Sequence, residues 1–364
     1  FTAESGVEGV YVEELIARRA TEPDGLKVGD RIVAIADLGR LDDTPVTVEE
    51  LLDAQDARWE VLFDTARRFM FASNQTTRAQ FAAAAVFSVA LRGRSDPTAG
   101  IAVRVERAGE IIDLSISAGQ AADSFPVVYA PYSSSVTHRG RTYRYIAVPS
   151  MRYMDDIDRI DRLVNAAITA DDDAVVFDLR GNGGGQSAIG DYLVARLGLS
   201  DRARFRIVDS DGATIRTIGP QNPRGAQFTG AVALLIDHHV FSAANHFVSL
   251  VADANKRDLF GSRPVFLVGG RTGGGSGVPT GVRLTSDFSF RVSRDFTVDS
   301  EGYHYERGVS PSPGADVTGE LNPDDLGASR FLSAPTQAQF DQRMPGDLIL
   351  QRALALLSAA LDGT

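Results

Sequence analysis

Apolar residues recur along this chain in two rhythms, and each change of rhythm marks a part. Between residues 6 and 48, short strand-like runs alternate with turn signals. Gly9–Val12 reads as a strand, Asp24–Asp30 as a tight turn and Arg31–Ala36 as a strand. Val48–Leu52 opens a helix. From Ala57 to Ala90 the spacing becomes helical: Trp59, Leu62, Phe63, Ala66, Phe69 and Met70, then Phe81, Ala84, Ala85 and Phe87. Asn74–Thr77 reads as the break and N-cap between two helices. Strand patterns return at Gly100–Glu106 and Ile111–Ser117. The pattern predicts a β-rich module over about residues 1–118, with a helical insertion at about 55–90.

The second part has a different grammar. Residues 119–142 read as a linker followed by a hairpin, Thr142–Pro149 as a strand and Met154–Ala167 as a helix. Ala174–Asp178 is a continuously apolar strand that runs into a glycine-rich turn, and Ser187–Leu197 is a helix. Ala231–Ile236 is a second strand of that kind. It ends in Asp237-His238-His239-Val240-Phe241-Ser242, and a helical pattern follows. Strand patterns resume over 262–310, and Asp347–Leu361 closes the chain as an amphipathic helix. Strands that are apolar at every position are buried on both faces. Alternating with helices, they predict an α/β (α+β) core over residues 119–364.

Two strands thus deliver two chemical parts to one sheet edge: a turn of backbone N–H groups and a serine at a helix start. Those are the components of an acyl-transfer site. The ordinary use of Ser242 would be as a helix N-cap. The turn Gly181–Gly185 lacks the third glycine of a dinucleotide fingerprint, and no Gly-Lys-Ser/Thr follows, so nucleotide binding is not indicated. His238 and His239 are neighbours on an extended segment and point to opposite faces, which does not suit one metal ion. His246 lies one helical turn after Ser242 and is a candidate base, although a structural histidine is its ordinary reading.

Composition narrows the field. The net charge is −11 over 364 residues, which argues against nucleic acid or an anionic membrane as the main partner. Cys is absent, which removes disulfides, cysteine metal sites and a cysteine nucleophile. There is no apolar run of 18 residues, so no membrane span is expected. Only Lys27 and Lys256 are available as lysines.

The motifs resemble one family, in order, along nearly the whole chain. Asp24–Ala36 (DGLKVGDRIVAIA) resembles the turn and strand of a PDZ domain. Ala174–Gly185 (AVVFDLRGNGGG) resembles the hallmark of the carboxyl-terminal processing (tail-specific) serine proteases, which include the tricorn core. Ala233–Phe247 resembles their nucleophile segment, Arg263–Gly277 the following strand and glycine turn, and Tyr305–Val309 their late strand motif. The resemblance implies a crotonase-like ββα protease core with an N-terminal PDZ-like module. Ser242 takes the nucleophile's place. The N–H of Ala243, with that of Gly183 or Gly184, takes the oxyanion hole's, and Glu306 that of a glutamate supporting the base. It further implies polypeptide substrates cut near their C-termini, no cofactor and export to the bacterial periplasm or cell envelope; a homo-oligomeric state is left open.

Two departures bear on activity. Many relatives carry a lysine base in the turn that is Thr272–Gly277 here, where Gly275 stands nearest its place. The tricorn-like branch takes a histidine from upstream of the PDZ module. The base is therefore unidentified, and the rival reading is an inactive protease-like scaffold that binds peptides or apolar ligands. An acyl enzyme of the wider crotonase-like superfold is a third, resting on fold analogy alone.

Overall fold

The computed structural model describes residues 10–11, 26–27, 30–38, 47–69, 86, 100–116, 130–170, 172–199, 204–219, 225–275, 277–283, 289–318 and 335–363. The chain divides into two compact units, Phe1–Val127 with Thr318–Arg330, and Val128–Val317 with Phe331–Thr364.

The first unit is built on an antiparallel sheet, β1 (Val10–Tyr11), β2 (Arg31–Asp37), β3 (Ile101–Arg107) and β4 (Glu110–Ile116), in that spatial order. Ala108 and Gly109 both have positive φ, the geometry of a two-residue hairpin whose twist matches that of its strands. Helix α1 (Val48–Asp53) starts at a capping box. The Thr47 hydroxyl accepts the Glu50 N–H, and the Glu50 carboxylate accepts the Thr47 N–H. Helix α2 spans Trp59–Phe69. The carboxylate of Asp30 is buried, and Arg107 meets it with two bonds of 2.7 Å. Leu26, Ile32, Ile35, Leu62, Val103 and Val105 form the core here. The expected break at Asn74–Thr77 and the helix beyond it lie outside the described residues, apart from Val86.

The second unit carries a five-stranded sheet in the order β11-β10-β7-β6-β5. Its strands are β5 (Tyr132–His138), β6 (Arg141–Ala147), β7 (Ala174–Asp178), β10 (Ala231–Ile236) and β11 (Val265–Gly269). Strands β6, β7, β10 and β11 run parallel, and β5 is antiparallel to β6. Every residue of β7 and β10 is buried, as their unbroken apolar runs require. A second sheet, β12-β13-β8-β9, is antiparallel and joins β8 (Phe205–Val208), β9 (Thr214–Ile218), β12 (Gly277–Arg283) and β13 (Ser289–Val298). The helices are α3 (Asp156–Thr169), α4 (Ser187–Arg196), α5 (Ala243–Lys256), α6 (Gln337–Arg343) and α7 (Leu348–Asp362). The mixed fold anticipated from the sequence is thus present. The β8–β9 hairpin and α6 were not anticipated.

Parallel pairing decides where chemistry can sit. Leu235 of β10 pairs with Asp178 of β7, and Ile236 with Gly269 of β11. The loops after β7, β10 and β11 therefore leave from one edge, the carboxyl ends of the strands, where open α/β sheets bind their ligands. Beside that edge lies a buried ionic cluster. Arg180 donates to both oxygens of Asp178 and both of Asp347, at 2.6 to 2.9 Å, and Tyr145 donates to Asp178 Oδ2 at 2.5 Å. Burial would pull the Arg180 guanidinium down, but the two carboxylates outweigh it and hold it well above its ordinary value. Asp347 also caps α7 through the Leu350 N–H, so this cluster ties the C-terminal helix to the turn after β7. Removing one member leaves a buried charge without its partner. Asp347→Ala is therefore expected to lower stability by about 3–5 kcal/mol in urea denaturation, against less than about 1 kcal/mol for the exposed Glu301→Ala.

Candidate active site

Three loops meet at the edge just described. Residues 179–186 follow β7, residues 237–242 follow β10 and residues 270–275 follow β11. Main-chain bonds join them pairwise. The Phe241 N–H donates to Asn182 O at 3.0 Å, the Ser242 N–H to Gly274 O at 2.9 Å and the Gly273 N–H to Val240 O at 2.9 Å. The Asp237 carboxylate accepts the Gly181 N–H at 3.1 Å from each oxygen.

Ser242 sits at the first turn of α5 with φ 54° and ψ −122°, outside the regions open to ordinary L-residues. Such a backbone costs about 1–3 kcal/mol and persists only where its surroundings impose it. Its hydroxyl makes no cap hydrogen bond. This sets aside the ordinary N-cap role for this serine. The Ala243 N–H, at the open end of α5, has no acceptor among the described residues.

The glycine turn lies directly against this serine. A Cβ built on Gly184 would stand 2.7 Å from Ser242 Cβ and 2.8 Å from Ala243 N. Only a glycine, here with φ +94°, permits that approach. The two candidate donors of the turn differ. The Gly184 N–H is taken by Asn182 Oδ1 at 2.9 Å. Gly183 is exposed, and its N–H has no acceptor among the described residues.

The other candidates are placed as follows. Glu306 is half-buried, and its Oε2 accepts the Gly277 N–H at 2.8 Å. Its carbonyl accepts the Gly275 N–H at 3.4 Å, so its loop is laced to the turn after β11. His246 is turned towards α4. Its Nε2 lies 3.0 Å from Asp191 Oδ1, and its ring meets Phe205 edge-on at 5.7 Å. No hydrogen bond links it to Ser242, and its geometry is that of a satisfied core histidine. Sharing a helical face does not bring the two side chains together, because Ser242 itself is not helical. Gly275, nearest the place of the relatives' lysine, has no side chain to offer and packs against Phe241. A Cβ on Gly275 would lie 2.6 Å from the Phe241 ring. Sequence reasoning had no access to Asn245 and Thr272. Both are buried, and they bind each other at 2.6 Å while reaching Tyr305 O and Val309 N. They pin α5, the glycine turn after β11 and the Glu306 loop together.

Residues 142–312, which include all of these loops, match the model of peptidase family S41. The solved structure of mature CPAF is similar to this chain, with a TM-score of 0.59 at 15% identity, covering 97% of this chain and 81% of that one. The photosystem II D1 C-terminal processing protease gives a TM-score of 0.49 at 18% identity, covering 70% of this chain and 62% of its own. A putative S41 protease from Bacteroides fragilis gives 0.49 at 17%, covering 72% and 66%. This chain therefore spans less than two thirds of the length of the last two. At these identities the likeness concerns the fold, and the CPAF comparison carries it. No curated protein matches the chain.

Within this matched region, the strain at Ser242 can be read out directly. Ser242→Gly removes the Cβ that makes this backbone costly, whereas Ser242→Ala keeps it. The glycine variant is expected to be more stable than the alanine variant by about 1 kcal/mol in denaturant midpoint, after the usual entropic cost of glycine. Gly275→Lys is expected to destabilise the domain. Adding Phe241→Ala should recover part of that loss, a coupling of about 0.5–3 kcal/mol in a double-mutant cycle.

Proposed function

We propose that this protein is a serine-type endopeptidase that cuts polypeptides near their C-termini. Ser242 attacks the scissile carbonyl, and the oxyanion is held by the N–H of Ala243 with that of Gly183 or Gly184. The observation that carries this reading is the convergence at Ser242. A hydroxyl without a capping partner, on a strained turn, lies against Gly184 of the glycine bend, next to a helix-start N–H, that of Ala243, with no acceptor among the described residues. Both donors are main-chain groups fixed by the fold, so they need no reorganisation as charge develops on the carbonyl oxygen. The positive end of α5 adds to their field. Glu306, anchored through one oxygen to Gly277, orients the base. No described residue is assigned as that base, since His246 is engaged by Asp191 and a glycine, Gly275, stands nearest the lysine's place.

In this reading the first unit is PDZ-like and takes an extended substrate segment as an added strand. The four-stranded sheet has β1 and β4 as its outer strands. We place the protein in the bacterial periplasm or cell envelope, in keeping with a chain that has no cysteine. Among the described residues, no single helix is long and apolar enough to cross a membrane.

One observation favours a second reading. No side chain among the described residues hydrogen-bonds the Ser242 hydroxyl, which also fits a scaffold that binds peptides or apolar ligands without cutting them. The two part in one experiment. An aryl phosphonate should label wild-type protein at Ser242, read by mass spectrometry. Peptide cleavage should fall by roughly three or more orders of magnitude in Ser242→Ala. Folded protein that is never labelled, and that binds peptides equally well with Ser242→Ala, would establish the scaffold instead.

A further inference from the structure

We propose that Asn245 and Thr272 are positioning residues that hold Glu306 in place relative to Ser242. The inference rests on the peptidase reading, in which Glu306 serves the base through its placement. Asn245 is fully buried in the first turn of α5, three residues after Ser242, and Thr272 is buried in the loop after β11. The two form one directed chain of hydrogen bonds. The Val309 N–H donates to Thr272 Oγ1 at 2.6 Å. The Thr272 hydroxyl donates its own hydrogen to Asn245 Oδ1 at 2.6 Å, and Asn245 Nδ2 donates to Tyr305 O at 3.2 Å. The chain leaves from residue 309 and returns to residue 305. It therefore closes a clasp across the turn that carries Glu306, and each bond in it polarises the next.

Tyr305 O belongs to the peptide that enters Glu306. It also accepts the Gly308 N–H at 3.0 Å, but that bond lies inside the turn and moves with it. The bond from Asn245 instead ties the turn to the same helical turn that follows Ser242. The peptide that leaves Glu306 is held through its carbonyl by the Gly275 N–H at 3.4 Å. Of the Glu306 carboxylate, Oε2 is taken by the Gly277 N–H at 2.8 Å, while Oε1 has no hydrogen bond among the described residues. Oε1 is the oxygen left for a base, and where it stands depends on the main chain at 305–307. Tyr305 is anchored separately: its hydroxyl donates to Asp299 Oδ2 at 3.1 Å, and its ring stacks on Phe205 at 5.8 Å. Cutting the clasp therefore leaves the turn folded and frees it to shift against α5. Asn245 and Thr272 touch no reacting atom; they act through Glu306.

The test uses the full chain and a peptide substrate. Thr272→Val keeps the shape but loses the hydroxyl, so the Val309 N–H and Asn245 Oδ1 both lose a partner. Its kcat is expected to fall about 10–10²-fold, as a displacement of up to about 1 Å in a supporting group causes. Thr272→Ser, which restores the hydroxyl, should recover most of that loss. The deciding measurement repeats Thr272→Val in a Glu306→Gln background. There it should lower kcat by less than about threefold, while lowering the melting temperature as much as it does with Glu306 present. Asn245→Ala removes the middle of the chain and should show the same pattern; it takes the place of Thr272→Val if that variant does not fold. Equal fold-losses of kcat in the two backgrounds would mark a merely structural role and overturn the proposal. So would a Thr272→Val or Asn245→Ala protein within about threefold of wild-type kcat, or a Glu306→Gln protein as active as wild type. Wild-type protein that is neither labelled by the phosphonate nor active would instead overturn the peptidase reading beneath it.

Discussion

Two main-chain hydrogen bonds, Phe241 N–H to Asn182 O and Ser242 N–H to Gly274 O, hold the edge of this sheet together. Each crosses between loops that belong to different strands, and each falls beside Ser242. The strands themselves place the loops only to within a residue or so, since parallel pairing ends at Leu235–Asp178 and Ile236–Gly269. Beyond those pairs the two bonds take over. They stretch the serine segment between two glycine bends, and the backbone of Ser242 is left in a conformation it would not choose alone. The strain is thus a consequence of the tethering, and tethering from both sides is what keeps it from relaxing.

Glycine recurs around this serine for a reason that is local and steric. A Cβ on Gly184 would enter Ser242, one on Gly274 would stand 1.9 Å from Glu306 O, and one on Gly308 would stand 2.0 Å from Thr272 O. The loops are packed backbone on backbone. This close approach makes each position intolerant of substitution. The polar residues that remain buried here, Asn182, Asn245 and Thr272, complete the lattice by capping main-chain groups that the close approach would otherwise strand.

Much of this was legible in the chain. Continuous apolar runs at Ala174–Asp178 and Ala231–Ile236, each followed by glycine or serine, announce buried parallel strands with functional loops. They also locate Ser242, Ala243 and the glycine turn. What was hidden depends on side-chain direction and on distant partners. That the Gly184 N–H is bound by Asn182 Oδ1 depends on where one side-chain amide points, which the sequence does not reveal. Spacing suggested His246 as a base, but Asp191 lies 55 positions earlier and was not in view. Asp347 reaches Arg180 across 167 positions, and from the sequence it reads only as a helix start. The β8–β9 hairpin escaped notice because every residue of β9 except Ile218 is exposed, which leaves no apolar rhythm to detect.

The ionic cluster at Arg180 shows how far the site depends on elements remote in the chain. Asp178 ends β7, Arg180 begins the glycine turn, and Asp347 caps the last helix. A hydrophobic anchor could hold α7 to the sheet as firmly, since buried ion pairs seldom out-stabilise well-packed apolar groups. It could not also fix the direction in which the chain leaves β7. A guanidinium gripped in one plane by two carboxylates does so, because its bonds tolerate little rotation. The same Asp178 accepts the Arg180 N–H, turning the backbone at the first step after the strand. The glycine bend is therefore aimed from its base by charge and held further along by Asn182.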